Sequence, residues 1–244
     1  MKFKNKRVKK MIASGELWER LNEWFSDGSL LGCSKSGGGV EHDSGMGILS
    51  GHAYAITDLQ LVRGKAEFDE EEQEFKLVKC RNPWGMREWK GDWADADAMW
   101  EDYPDIQKQL NHSATNDGYF WISWEDFRKQ FNQVFVCRDF NEEWRGQRFR
   151  GNWIPGDLKS GAGGMPKFKE FPQNPQYGFT CIQEGTKMCC IVSQKDNRWQ
   201  KGTAKYTTAI GFVIVMLSGD KKRITKFGKR KLAMDSMGPA MSRT

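Results

Sequence analysis

The strongest constraint on this chain of 244 residues is a pair of strand-like runs, 53–62 and 75–80, separated by an acidic, glycine-bearing stretch at 64–74. The first run alternates in the manner of a half-buried strand. The second stops abruptly at Asn82-Pro83-Trp84-Gly85. Asparagine initiates turns, proline presets φ and glycine frees it, so this tetrapeptide ends a strand. Two runs joined in this way predict a long antiparallel hairpin. Its open end carries His52 on one arm and Asn82 on the other.

A neutral imidazole that moves a proton through one ring nitrogen needs a partner on the other. A carboxamide oxygen supplies that partner without adding charge. Histidine and asparagine so placed are two members of a Cys-His-Asn constellation, in which the imidazole activates a thiol and the amide holds the ring. Trp84, two residues beyond Asn82, is placed to keep water from that hydrogen bond, which strengthens it. Taken singly, each stretch also has an ordinary structural reading, as a packed histidine and as an Asn-Pro turn.

Together the motifs are more specific. Gly51-His52-Ala53-Tyr54 and Arg81-Asn82-Pro83-Trp84-Gly85 are accompanied by Glu88-Trp89-Lys90-Gly91-Asp92-Trp93, by Asp117-Gly118-Tyr119-Phe120-Trp121 and by Gly28-Ser29-Leu30-Leu31-Gly32-Cys33-Ser34. From about residue 15 to residue 140 the chain resembles the second half of a calpain-type cysteine protease core. The resemblance implies a papain-like lobe built on an antiparallel sheet. It implies His52 as general base, Asn82 as the residue that orients it, and Trp84 as the tryptophan packed beside the pair. The family's nucleophile lies in a stretch resembling Gln-Gly-x-x-Gly-Asp-Cys-Trp, which has no counterpart in this sequence.

Cys33 is the only cysteine before His52, and it sits in an apolar run. An activated thiol wants a helix N-terminus or a cation beside it, so Cys33 reads as a small buried hydrophobe. Cys80 is expected to face the core. The chain is therefore expected to supply one lobe of a two-lobed core. Alone it should not hydrolyse peptides, because it lacks both the attacking sulfur and the oxyanion donors.

The resemblance also implies part of a calcium site, with Glu88, Asp95 and Asp117 as ligands and the Thr115 carbonyl as a candidate fourth. The family's Asp-Gly-Glu reads Asp117-Gly118-Tyr119 in this chain. Hard-cation sites use about six to eight oxygens, so one missing carboxylate weakens the expected affinity. The plainer reading of these acids is solvated surface. His42 and His112 are expected in exposed loops.

The bulk numbers narrow the classes. Net charge is +6, with basic clusters at 2–10 and 221–231 and acidic stretches at 67–74 and 92–105. Basic ends read first as solvated ends; the sharper reading is docking of 221–231 on acidic phospholipid. Basic residues are not interleaved with exposed aromatics, so no nucleic-acid partner is expected. The six cysteines include no C-x-x-C pair, which fits neither a zinc site nor a disulfide framework. No apolar stretch follows the basic start, and the run 209–217 is too short to cross a bilayer. A cytoplasmic protein with reduced thiols is expected.

Helical spacing covers 16–25, a buried strand is expected at 29–34, and the Gly- and Ser-rich stretch 35–50 reads as a mobile loop bordering a cleft. A short helix follows at 105–110 and a strand at 119–122. A capping box, Ser123-Trp124-Glu125-Asp126, opens a helix ending near 131, and 134–140 forms a last strand. Residues 1–140 thus read as an α+β domain. Past residue 141, Arg150-Gly151-Asn152-Trp153 and Phe171-Pro172-Gln173-Asn174-Pro175-Gln176-Tyr177 resemble the opening of the β-sandwich that follows the calpain core. Strand material at 187–193 and 206–217, with turns at 196–197 and 218–220, predicts a partial antiparallel sandwich over 141–244, disordered after 231. Two functions follow. One is a calcium-dependent cysteine endopeptidase acting on protein substrates, its cleft completed by a Cys-bearing lobe outside this chain. The other is a non-catalytic regulatory or binding protein that keeps the half-fold as an interaction surface.

Overall fold

The computed structural model describes residues 1–37, 39, 41–43, 45–66, 71–140, 142–186, 188–194, 210–217, 219–227 and 232–235. It divides into two compact units, Met1–Trp144 and Arg145–Thr244.

The first unit is α+β. Two helices, α1 (Lys6–Ala13) and α2 (Glu16–Ser26), precede strand β1 (Leu30–Ser34). A short ladder of β2 (His42–Asp43) and β3 (Leu49–Ser50) leads into the hairpin β4 (Ala53–Gly64) and β5 (Gln73–Arg81). Helices α3 (Met99–Asp102) and α4 (Pro104–Gln109) come next, followed by β6 (Tyr119–Ser123), α5 (Trp124–Gln130) and β7 (Gln133–Cys137). The five long strands form one sheet, in the order β6-β5-β4-β1-β7, with every neighbouring pair antiparallel.

The sheet is buried on alternate faces by two separate cores. One collects Val8 and Met11 of α1, Leu17 and Leu21 of α2, and Phe127 of α5 against Tyr54, Ile56, Val78, Cys80 and Phe120. The other packs Trp93, Trp100, Tyr103 and Ile106 against Val62, Leu77 and Trp121. Covering both faces explains why Leu77 and Val78, and Phe120, Trp121 and Ile122, are buried without alternation. Trp93 and Trp100 meet edge to face, their ring centroids 4.7 Å apart. The stretch after the Asn82 turn, which shows little periodicity in sequence, is thus the second core. Its order comes from aromatic contacts together with the short helices α3 and α4, which carry Trp100 and Ile106.

Several expectations change. The basic start is not simply a solvated end: Asn5 Oδ1 accepts from the Arg7 N–H at 2.8 Å and caps α1, and Val8 and Met11 anchor its inner side. Surrounding charge conceals that two-residue stripe from a periodicity reading. The stretch 35–50 is not simply a mobile loop, because Ile48 and Leu49 are fully buried and the Asp43 carboxylate accepts from the Gly45 and Gly47 N–H groups. The capping box is altered as well. Ser123 Oγ accepts from the Asp126 N–H and its hydroxyl donates to Asp126 Oδ2, so the acid meets the side chain and not the Ser123 main chain. The last strand stops at Cys137, short of 140.

In the second unit the expected antiparallel pairing is carried by β8 (Val213–Val215) and β9 (Leu232–Asp235). β9 falls within the tail read as disordered. Residues 188–194 form no strand. The expected turn at 196–197, the strand portion at 206–209 and the tail beyond 235 lie outside the described residues. Asn174, in the motif singled out from sequence, holds this unit's loops: its Oδ1 accepts from Gly163 N–H and Trp153 Nε1–H, while Nδ2 donates to the carbonyls of Gly164 and Phe171.

Candidate active site

His52 stands one residue before β4 and Asn82 one residue after β5, so the hairpin register decides whether they meet. Ala55 pairs with Arg81 and Ile56 with Cys80, and a bulge between Ile56 and Asp58 leaves Thr57 as the extra residue. Bulges of this kind re-aim a strand end. Beyond the last pair, His52 and Tyr54 project to the same side. His52 Nε2 lies 2.9 Å from Asn82 Oδ1. His52 is 9% exposed and Asn82 is fully buried.

Asn82 has no freedom to rotate its amide. Its Nδ2 donates to the Met86 carbonyl at 2.7 Å and to the Arg87 carbonyl at 3.1 Å. Its Oδ1 accepts from the Trp84 N–H at 3.0 Å as well as facing His52. With both amide protons held by carbonyls, the oxygen must be the atom that faces the imidazole. Nε2 therefore carries the ring proton and donates it, and Nδ1 keeps the lone pair. Nδ1 has no hydrogen-bond partner among the described residues.

Two aromatic rings wall the imidazole. Tyr54 meets it edge-on at 5.0 Å, and Trp84 lies 4.6 Å away, tilted by 52°. Trp84 remains 41% exposed, so it covers the pair while keeping one face toward solvent. The Tyr54 oxygen accepts from the Leu49 N–H at 2.8 Å, and burial pushes its hydroxyl up to about 12, which keeps it neutral beside the histidine.

Neither thiol in this unit's core can serve the pair. Cys33 and Cys80 are both fully buried, and burial raises the Cys33 thiol well above its ordinary range. Cys33 is a core residue of β1.

The acids named from sequence do gather. Glu88 Oε1 accepts from the Gly118 N–H at 2.6 Å; Asp117 accepts from the Tyr119 N–H through Oδ1 and from the Thr115 hydroxyl through Oδ2. Asp95 feels both neighbours: burial first, then Glu88 and Asp117, push its carboxyl up to about 7. Asp95, Thr115 and Asp117 line a cavity of about 200 Å³ with Lys79, Tyr119 and Trp121. Asp95 Oδ2 is buried without a partner. In chemistry this donor set suits a hard cation. In geometry it is open: among the described residues no three His, Cys, Asp or Glu side chains are arranged to hold a metal ion. Tyr119 lines the cavity with a phenol, and the Lys79 ammonium rides 5.5 Å from the Tyr119 and Trp121 rings.

His112 departs from expectation. It stacks on Trp100 at 3.9 Å, and its Nε2 lies 3.0 Å from the Asp95 carbonyl. Half-burial lowers its pKa. His42 is exposed as expected, but it stands in β2 and not in a loop. Sequence reasoning missed Met86 and Arg87, whose carbonyls hold Asn82. Main-chain acceptors leave no side-chain signature, and Arg87 adopts φ 62 although no glycine marks the position.

A buried imidazole–carboxamide pair at one end of an antiparallel α+β sheet defines the histidine-bearing lobe of a cysteine-protease-type fold. The chain belongs to the calpain family of cysteine proteases: residues 3–138 match the calpain family cysteine protease model, and residues 149–238 match domain III of the calpain large subunit. It is 34% identical over 220 residues to calpain-9 of Rattus norvegicus, a match covering 83% of this chain and 31% of that protein. It is 36% identical over 168 residues to the calpain-type cysteine protease ADL1 of Oryza sativa subsp. japonica, covering 68% of this chain and 7% of that protein. Calpain-5 of Mus musculus is 29% identical over 225 residues, covering 85% and 35%. The chain spans about a third of the length of the calpain-9 relatives it matches. No helix among the described residues is long and apolar enough to cross a membrane.

Proposed function

We propose that residues 1–140 form the His/Asn lobe of a calcium-dependent cysteine endopeptidase, and that 141–244 belong to the β-sandwich unit that follows it. The observation that carries this reading is the buried His52–Asn82 contact at 2.9 Å, with the amide held by two carbonyls. In a completed cleft, His52 Nδ1 accepts the proton of a cysteine thiol on the absent lobe. The thiolate then attacks the carbonyl of a protein substrate. Nε2–H donates to Asn82 Oδ1 throughout, so the imidazolium is stabilised and its ring stays oriented. The same Nδ1 returns the proton to the leaving amine. Trp84 limits water at the Nε2 bond. Alone, the chain performs no peptide hydrolysis, since Cys33 is sealed in the core.

Glu88, Asp95, Asp117 and the Thr115 carbonyl would hold a calcium ion, which relieves the repulsion among the three carboxylates. Six free thiols suit the reducing cytoplasm. Basic residues of 221–231, of which 228–231 lie outside the described residues, form the surface for acidic phospholipid.

The test is reconstitution. The Cys-bearing lobe is supplied in cis or trans, and cleavage of a casein-like substrate is followed with and without calcium. Cleavage should appear only in the combined protein and should disappear in His52→Ala. A His52→Ala protein that cleaves as well as the parent defeats the proposal. One observation favours a second reading, a non-catalytic binding protein: the complete burial of the only cysteine preceding His52. Lack of cleavage in every combined protein would support it.

A further inference from the structure

We propose that Arg87 is a positioning residue for the His52–Asn82 pair, and that it acts through its main chain. The inference deepens the protease reading and rests on it. The two carbonyls that hold the Asn82 amide belong to Met86 and Arg87, at 2.7 and 3.1 Å. These carbonyls flank the Arg87 Cα, so the φ and ψ of that one residue set their relative direction. In extended chain, successive carbonyls point to opposite sides and could not share one nitrogen. Arg87 has φ 62, in the left-handed region that a side chain enters at a cost.

The consequence reaches the imidazole. An Asn82 amide turned the other way would aim its oxygen at two carbonyl oxygens. It would also present N–H groups to the Trp84 N–H and to His52 Nε2. The Met86–Arg87 pair forbids that orientation, and so it decides which histidine nitrogen bears the proton. The side chain contributes on the other side of the turn: the Arg87 guanidinium lies 5.7 Å from the Trp84 ring centroid, and Trp84 packs on His52. That cation–π contact helps offset the left-handed backbone.

The test needs no catalytic partner. On the ¹⁵N-labelled full chain, NMR follows the His52 Nε2–H signal and the hydrogen exchange of the Asn82 carboxamide protons. Arg87→Val and Arg87→Thr add a β-branch that resists positive φ, and Arg87→Gly accepts it freely. The two β-branched variants should speed carboxamide exchange by about tenfold and mix the His52 tautomers. Arg87→Gly should keep the parent's tautomer and exchange no faster than the parent. Parent-like exchange in Arg87→Val and Arg87→Thr overturns the proposal, and so does fast exchange in Arg87→Gly. Should both β-branched variants fail to fold, the glycine variant still decides. In the reconstituted protease, Arg87→Val should lower kcat with KM unchanged. Absent proteolysis beside an intact NMR pattern counts against the protease reading alone. Proteolysis with an Arg87-independent pattern counts against this inference alone.

Discussion

Gly118 and Asn82 approach so closely that a methyl group on Gly118 would stand 2.6 Å from the Asn82 carbonyl oxygen. The Asn82 N–H donates to the Gly118 carbonyl at 2.7 Å, and the Gly118 N–H donates to Glu88. One glycine at the start of β6 therefore ties the amide turn to the acidic cluster.

Gly118→Ala meets both that contact and φ 87. Strain and overpacking together should destabilise the first unit by about 2–4 kcal/mol. Urea unfolding followed by tryptophan fluorescence measures this. A loss under about 0.5 kcal/mol, the range of neutral surface changes, would mean that the close approach is not maintained in solution.

Asn82→Ala removes the partners of two carbonyls, of the Trp84 N–H and of His52 Nε2 around a fully buried side chain. Buried groups left unpaired should lower stability by about 1–3 kcal/mol. In a reconstituted protease the same change should lower kcat more than it raises KM, because the ring loses its orientation. Unchanged denaturation midpoints would show that the turn, and not the amide, holds this corner.

Asp95 supplies a pH dependence. Its folded-state value of about 7 lies above its ordinary 3.8. Between those values the unfolded chain releases the proton while the folded chain keeps it, so stability falls as pH rises from about 4 to 7. Asp95→Asn should flatten that slope and raise stability at pH 8 by about 1–2 kcal/mol in the presence of a chelator. A parallel slope in parent and variant would place the titrating group elsewhere. Calcium, if held by Glu88, Asp95 and Asp117, should add stability to the parent and less to the variant.

Thiol labelling reads the cysteines directly. Cys137, Cys181 and Cys189 are exposed and should react with a maleimide in the native protein, whereas Cys33 and Cys80 should react only after denaturation. Native labelling of Cys33 would reopen it as a nucleophile.

Much of the site was legible because its parts sit at element ends that the sequence punctuates. Asn82-Pro83-Trp84-Gly85 marks where β5 must stop, and alternation before it marks the hairpin that returns to His52. Cys33 and Cys80 were readable as core residues from their apolar neighbours. What stayed hidden shares one cause. α1 hides its Val8–Met11 stripe among lysines, and His112 reaches Trp100 only because the tryptophan core folds back on itself.

The sequence alone determined which chemistry this lobe carries, because histidine, asparagine and three acids are there whatever the chain does. It also determined that two strands pair as a hairpin, since two strand-like runs flank a turn-forming acidic stretch, whereas the register, with its bulge at Thr57, came from the fold. Only the tertiary structure decided which imidazole nitrogen is open and that the acids crowd without closing on a point. Those outcomes turn on main-chain carbonyls, on a left-handed Arg87 and on a glycine contact between distant segments. Backbone groups are the same in every residue, so their directions exist only once the chain has folded.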